Sequence, residues 1–324
     1  MTKGRMQSGR KPMIIVHVAG GLGNQLQQYA LYRKLKSMGA YVKLDISWYT
    51  DKENQKDAYA KRKLELDYFE GLSYDVCTSR EKEQVTGNGS FLRKVYYKLV
   101  PAKNPRFVES AMYHPELFDF VSDGKDHYLE GYFACEKYYA DILPKLREDI
   151  RFPKSLSFAG EDSQTARKNR ETAERMANEH AVSIHIRRGD YLDAVNREMF
   201  GGICTEAYYQ AAMEVIKQQV PDAHFYIFSD DQDYVKEHYR GPEYSYVDWN
   251  TGKDSFYDIY LMSCCRHNIC ANSTFSFWGA RLNGNEDKIM IRPAKHKNSQ
   301  VFDRTQMEEL WKGWTFIDEN GRME

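Results

Sequence analysis

The sequence predicts an α/β protein made of two Rossmann-like domains facing across a cleft. Short apolar runs alternate with helix-length segments at the start of the chain and again beyond residue 180, the pattern of parallel strands joined by crossover helices. Between these blocks lies a polar, charged stretch, Ser155 to Glu179, with little apolar periodicity. The boundary is placed just before it, giving domains 1–153 and 154–324.

Taken in order, Met13 to Val18 reads as a strand and Ala19 to Gly23 as a tight loop. Asn24 to about Met38 reads as a helix closed by Gly39, and Tyr41 to Ile46 as a returning strand. Residues 51–110 show weak periodicity and stay unordered at this level, and Tyr128 to Phe133 reads as a further strand. Ser155 to Glu179 fits an exposed helix or a linker. The second block gives strands at Ala181–Ile186, Ala223–Phe228, Tyr244–Trp249 and Asn268–Ala271, and a last one at Lys288–Ile291. Its helices are Glu206–Gln219, stopped by Pro221, then Asp231–Tyr239, Ser255–Cys265 and Phe275–Leu282.

With 324 residues, 42% hydrophobic and 29% charged, the chain can bury a large core and should fold as a soluble protein. A net charge of −1 argues against a nucleic-acid partner. Met1 to Pro12 is basic and polar with no signal-like apolar run behind it, and Met13–Val18 is too short to span a bilayer. The expectation is a cytoplasmic protein without a transmembrane segment, at most peripheral to the inner face of the membrane. Six cysteines without a CxxC pair fit a reducing compartment. The absence of Walker A, HExxH and GxSxG sequences removes the common ATPase, zinc-protease and esterase readings.

Four stretches could carry chemistry. In Ser183–Tyr191, strand alternation sends Val182, Ile184 and Ile186 to one face and Ser183, His185 and Arg187 to the other, with Arg188, Gly189 and Asp190 at the turn. Ligands of open α/β sheets bind at this carboxyl end, and two guanidinium groups beside an imidazole suit a diphosphate. A structural Arg–Asp pair on a surface turn is the equal alternative. Asn272–Gly279 ends a strand and opens a helix with Ser273, Thr274 and Ser276, either a phosphate cradle or simple capping by Ser273 or Thr274. Gly20–Leu26 is a weak dinucleotide fingerprint, with Leu26 at the third glycine position and Asp45 roughly where its acidic residue belongs. Its distinctive feature is Asn24–Gln25 at a helix start behind Gly23. Ser229–Asp231 could read guanine or cap a helix, and Asp231-Gln232-Asp233 resembles a metal-binding DxD, for which capping is the simpler role.

Together and in this order, Gly20–Leu26, His185–Tyr191, Phe228–Asp231 and Asn272–Ala280 resemble the α-1,2-fucosyltransferase family of bacteria, animals and plants, over residues 13 to 292. The resemblance implies a GT-B-like fold, GDP-fucose bound by the C-terminal domain, an N-terminal domain on the acceptor side, inversion at the fucose anomeric carbon, and no required metal or other cofactor. It implies a galactose-terminated glycan as acceptor. Carried over by position, Arg187 would meet the β-phosphate and the departing oxygen, with Arg188 assisting, and His185 and Asp230 would lie near guanine and ribose. Ser273, Thr274 and Ser276 would face the phosphates, and Gly23 and Asn24 would approach the donor from the other domain. Asp190 is the candidate general base, against a purely structural pairing with an arginine. The chain departs from its relatives at Gln27, Phe277 and Arg281, where they often carry aromatic residues. The alternatives are a fucosyltransferase of another linkage, α-1,6 or protein O-linked, and a non-catalytic GDP-sugar or glycan-binding protein.

Overall fold

A computed structural model describes residues 11–51, 55, 61–87, 91–100, 104–110, 113–299 and 302–323. The chain divides into two compact units, Met1–Leu64 with Ser73–Ala134, and Glu65–Leu72 with Cys135–Glu324. The division therefore falls earlier than residue 153. Residues 135–153 join the second unit because Glu136 accepts bonds from Arg281 Nε at 2.9 Å and Trp314 Nε1 at 3.1 Å. Residues 65–72 follow them, with Glu70 N–H donating to the Arg151 carbonyl at 2.7 Å. Pairings this distant in sequence leave no periodic trace.

The first unit opens with β1 (Ile14–His17) and α1 (Leu22–Ser37). The turn between them depends on Gly20, whose φ is +90° and whose missing Cβ would stand 2.7 Å from Asn24 Nδ2. Helix α1 thus starts two residues before the expected Asn24, and Gly23 lies in its first turn rather than in the loop. Three buried glutamines explain the weak apolar pattern of α1. Gln28 accepts the Ala19 N–H at 3.1 Å and donates to the Gly131 carbonyl at 2.8 Å, while Gln25 donates to Gly20 and Lys63 carbonyls. Then come β2 (Val42–Asp45), α2 (Ser47–Thr50), α3 (Ser79–Thr86), α4 (Phe91–Leu99), β3 (Arg106–Val108) and β4 (His127–Glu130). A Thr78–Glu81 capping box starts α3. The sheet is parallel, ordered β2-β1-β4-β3, with His17 opposite Asp45 and Ile15 opposite Tyr128. The chain runs outward from β1 to β2, crosses to β3 at the other edge and returns to β4.

The second unit contains α5 (Leu143–Asp149) and α6 (Gln164–Asn178). Helix α6 settles the helix-or-linker alternative: Ser163 caps it, and one stripe of Ala166, Asn169, Thr172 and Met176 is buried. Two of those four are polar, so hydrophobicity alone does not show the stripe. Next follow β5 (Ala181–Ile186), α7 (Ala194–Phe200), α8 (Glu206–Gln219), β6 (His224–Ser229), α9 (Gln232–His238) and β7 (Tyr244–Val247). The unit ends with α10 (Phe256–Cys264), β8 (His267–Ile269), α11 (Thr274–Leu282), β9 (Met290–Pro293), α12 (Arg304–Leu310) and β10 (Trp314–Ile317). The run Lys288–Ile291 is therefore not the last strand. Its successor is a four-residue edge strand, too short to stand out before pairing with β9 reveals it.

All six strands are parallel, ordered β10-β9-β8-β5-β6-β7. Every residue of β5 is buried. Val182, Ile184 and Ile186 pack against Tyr208, Ala212, Ile216, Phe225 and Ile227, each contributing about 1.5–3 kcal/mol by burial. The order reverses between β5 and β8, which puts Arg187 and Ser273, just past those two strands, at the reversal. Among the described residues, no helix is long and apolar enough to cross a membrane.

Candidate active site

The loop after β5 is held by carboxylates from the end of β6. Asp230 Oδ1 accepts the N–H groups of Arg188 at 2.9 Å and Gly189 at 3.1 Å, and Oδ2 faces Arg187 Nε at 3.4 Å. A Cβ on Gly189 would stand 2.6 Å from Asp230 Oδ2, so glycine is what allows this approach. Asp231 caps α9 through the Tyr234 N–H at 3.1 Å, as expected, and also accepts from Arg188 Nε at 3.0 Å. That guanidinium lies 3.5 Å from the Tyr234 ring centroid, and Arg187 lies 5.6 Å from that of Tyr191. The bond from Arg188 leads the effects that lower the Asp231 carboxyl below its usual range. Among the described residues, no group of three or more His, Cys, Asp or Glu could hold a metal ion.

Asp230 is engaged on both oxygens by the loop after β5, so it pins Arg187 and Arg188.

His185 is buried on the β5 face opposite Val182 and Ile184, beside the Phe275 ring at 5.8 Å. Burial, then the Arg187 charge, push its imidazole down to about 4, with Asp230 opposing in part. It is therefore neutral at pH 7 and offers one N–H and one lone pair, not a third positive charge. Its Nδ1 is buried and has no hydrogen-bond partner among the described residues.

Across the strand reversal, Ser273 occupies the position before α11 but its side chain makes no capping bond. The expected simple cap is absent there, and Thr274 begins the helix. Ser276, expected to face the phosphates, has a buried hydroxyl that donates to the carbonyls of Ser273 at 3.1 Å and Ala271 at 3.4 Å. Asp190 lies in the one-turn 3-10 helix Gly189–Leu192, and its side chain is outside the described residues. Gly23 and Asn24 belong to the first unit, where the Asn24 N–H donates to the Gly21 carbonyl at 3.0 Å.

Two residues of the site were not foreseen from the sequence. Asn272 ties three segments to the site: its Nδ2 donates to the Phe200 and His296 carbonyls, and its carbonyl accepts from the Tyr191 hydroxyl at 3.1 Å. Its place at the head of the hydroxyl-rich stretch was the available signal. Tyr234, the platform for Arg188, gave none, since only folding brings α9 against that loop. An open hollow lined by Glu171, Glu174, Arg175, Asn178 and Glu179 lies towards the amino end of β5 and is mainly acidic, unsuited to a diphosphate.

Residues 108–318 match the model of Glycosyl transferase family 11. The chain is 33% identical over 297 residues to the O-antigen biosynthesis glycosyltransferase WbnK of Escherichia coli, covering 86% of this chain and 93% of that one. It is 28% identical over 288 residues to an alpha-1,2-colitosyltransferase of Escherichia coli, covering 87% and 91%. A 107-residue stretch is 28% identical to galactoside alpha-(1,2)-fucosyltransferase 1 of Ateles belzebuth, 32% of this chain and 29% of that one. The fucosyltransferase NodZ from Bradyrhizobium superimposes with a TM-score of 0.46 at 14% identity, over 84% of this chain and 92% of that one. With the family model spanning most of the chain and a relative this similar over nearly its full length, the protein belongs to glycosyl transferase family 11.

Proposed function

We propose that this glycosyltransferase moves L-fucose from GDP-β-L-fucose to O2 of a terminal galactose, forming an α-1,2 linkage with inversion and without a metal ion. The observation that carries the reading is the loop after β5, where Asp230 binds two successive N–H groups and so fixes two arginines at the strand reversal. The α-1,2 linkage named for two of the relatives supports the regiochemistry.

In the transfer, the acceptor oxygen bonds to the fucose anomeric carbon as the bond to GDP breaks. The electron pair leaves on a β-phosphate oxygen and the acceptor proton is released. The ring gains positive character and GDP gains negative charge, so donors fixed beforehand at the departing oxygen stabilise the transition state most. Arg187 serves that role, with Arg188 beside it. His185, neutral and with an unpartnered nitrogen, suits a nucleoside hydrogen bond better than a phosphate charge.

A colitose donor is the second reading, favoured by the alpha-1,2-colitosyltransferase relative; colitose is fucose without O3. The test is incubation of the purified protein with GDP-fucose and lactose in EDTA, followed by linkage analysis. An α-1,2-fucosylated lactose is the expected product. An α-1,6 product would replace the linkage assignment. Tight GDP-fucose binding without transfer to any galactoside would make the protein a binding module instead.

A further inference from the structure

Helix α4 inverts the pattern of α1 and α3 in its own unit. Leu22, Leu26, Leu31 and Leu35 of α1 and Val85 of α3 are buried. In α4, Leu92, Val95, Tyr96 and Leu99 are all exposed, the two leucines by 78% and 76% of their surface. Their spacing of i, i+3, i+4 and i+7 puts them on one face of the helix. Of the described α4 side chains none is buried, and Tyr97 is half-buried. Single apolar residues on a surface are ordinary, but a stripe of four marks a contact face. A nine-residue helix is also marginal in water alone and owes its stability to packing of such a face.

Charge indicates what covers it. No acidic residue occurs from Gln84 to Val108, whereas Arg93, Lys94, Lys98, Lys103 and Arg106 do, in a chain of net charge −1. Lys98 is exposed in the last turn of α4, and Arg106 faces Glu130 at 4.0 Å. An apolar stripe within a basic segment fits a surface that offers hydrocarbon beneath a layer of negative charge, as an anionic bilayer does. A second copy docking through the same face would set one basic segment against another and repel it. Tyr96 and Tyr97 suit the headgroup level, where the ring meets apolar material and the hydroxyl meets water. At nine residues, or about 14 Å, α4 can lie on a bilayer but not span it.

We propose that α4 is a membrane-surface anchor, lying in the interface of a bilayer rich in anionic lipid. Leu92, Val95, Tyr96 and Leu99 enter the acyl boundary, and Lys98 sits among the phosphate headgroups. One short helix of this kind holds the protein reversibly. The inference is independent of the donor and linkage proposed above.

The test is flotation of the whole chain with vesicles of phosphatidylcholine, alone or mixed with phosphatidylglycerol, at low and high salt. The expected result is binding to the mixed vesicles at low salt, weakened by high salt and on neutral vesicles. Leu92→Ser combined with Leu99→Ser should weaken that binding at least about tenfold, and Lys98→Glu about fivefold or more. Melting temperatures should be kept, since these side chains are exposed. A parent that does not bind the mixed vesicles, or a leucine variant that binds them as tightly, overturns the proposal. So does equal binding to neutral vesicles, which removes the charge argument. A parent that ignores vesicles but sediments as a dimer, broken by the leucine changes, assigns the face to a second copy instead.

Discussion

The two units use carboxylates differently at the carboxyl ends of their strands. After β5, Asp230 and Asp231 are about one-third exposed and hold two arginines at the surface. After β1 and β2, a single buried carboxylate, Asp45, gathers an imidazole, a phenol and an ammonium. The first arrangement keeps two guanidinium groups fixed beside partly exposed carboxylates. The second surrounds one buried carboxylate with its partners, His17, Tyr128 and Lys82.

The largest effect that could break this comparison belongs to Arg187. Replacing it with alanine should lower the transfer rate about 10²–10³-fold, as for loss of one oxyanion donor, with the melting temperature nearly unchanged. A rate equal to the parent's would remove the charge-stabilising half. Next comes Asp45→Asn, which keeps the shape but leaves the Lys82 ammonium without its counter-charge. Chemical denaturation should show a loss of about 3 kcal/mol, and an unchanged midpoint would mean the hub is not a hub.

A pH series sharpens the contrast. Asp45 has a depressed pKa, so its contribution is present above the ordinary carboxylate range and is lost as pH falls below it. Asp258 of α10 shows the reverse case. Its carboxyl accepts from Asn250 Nδ2 at 2.9 Å, and burial pushes it up to about 8. The folded state therefore binds the extra proton, and stability falls as pH rises from about 4 to about 8. Asp258→Asn should raise the melting temperature at about pH 8, by on the order of 1–2 kcal/mol of stability, and flatten that slope. The smallest effect is expected for Asp231→Ala. Loss of the α9 cap costs about 1 kcal/mol, and turnover should fall less than in Arg187→Ala.

How much of this was legible depended on sequence distance. The segment from Ser183 to Tyr191 revealed itself because strand alternation and the turn at Gly189 act over neighbouring residues. The role of Asp230 did not, since what occupies its oxygens comes from 41 to 43 residues away. The resemblance placed Ser276 at the phosphates, but that its hydroxyl bonds to the Ser273 carbonyl was not legible. The His17–Asp45–Tyr128 cluster joins residues 28 and 83 positions apart, and no local pattern announces it.

By itself, the sequence determined the two alternating α/β blocks, the six-residue strand β5 and the arginines that follow it, because hydrophobic period and turn chemistry are local properties. Tertiary structure decided where the units divide, which carboxylates meet which cations, and that a histidine at the end of β1 faces a buried aspartate. Those outcomes depend on parallel strand pairing and burial, which bring distant residues to the same place and leave no mark on their neighbours along the chain.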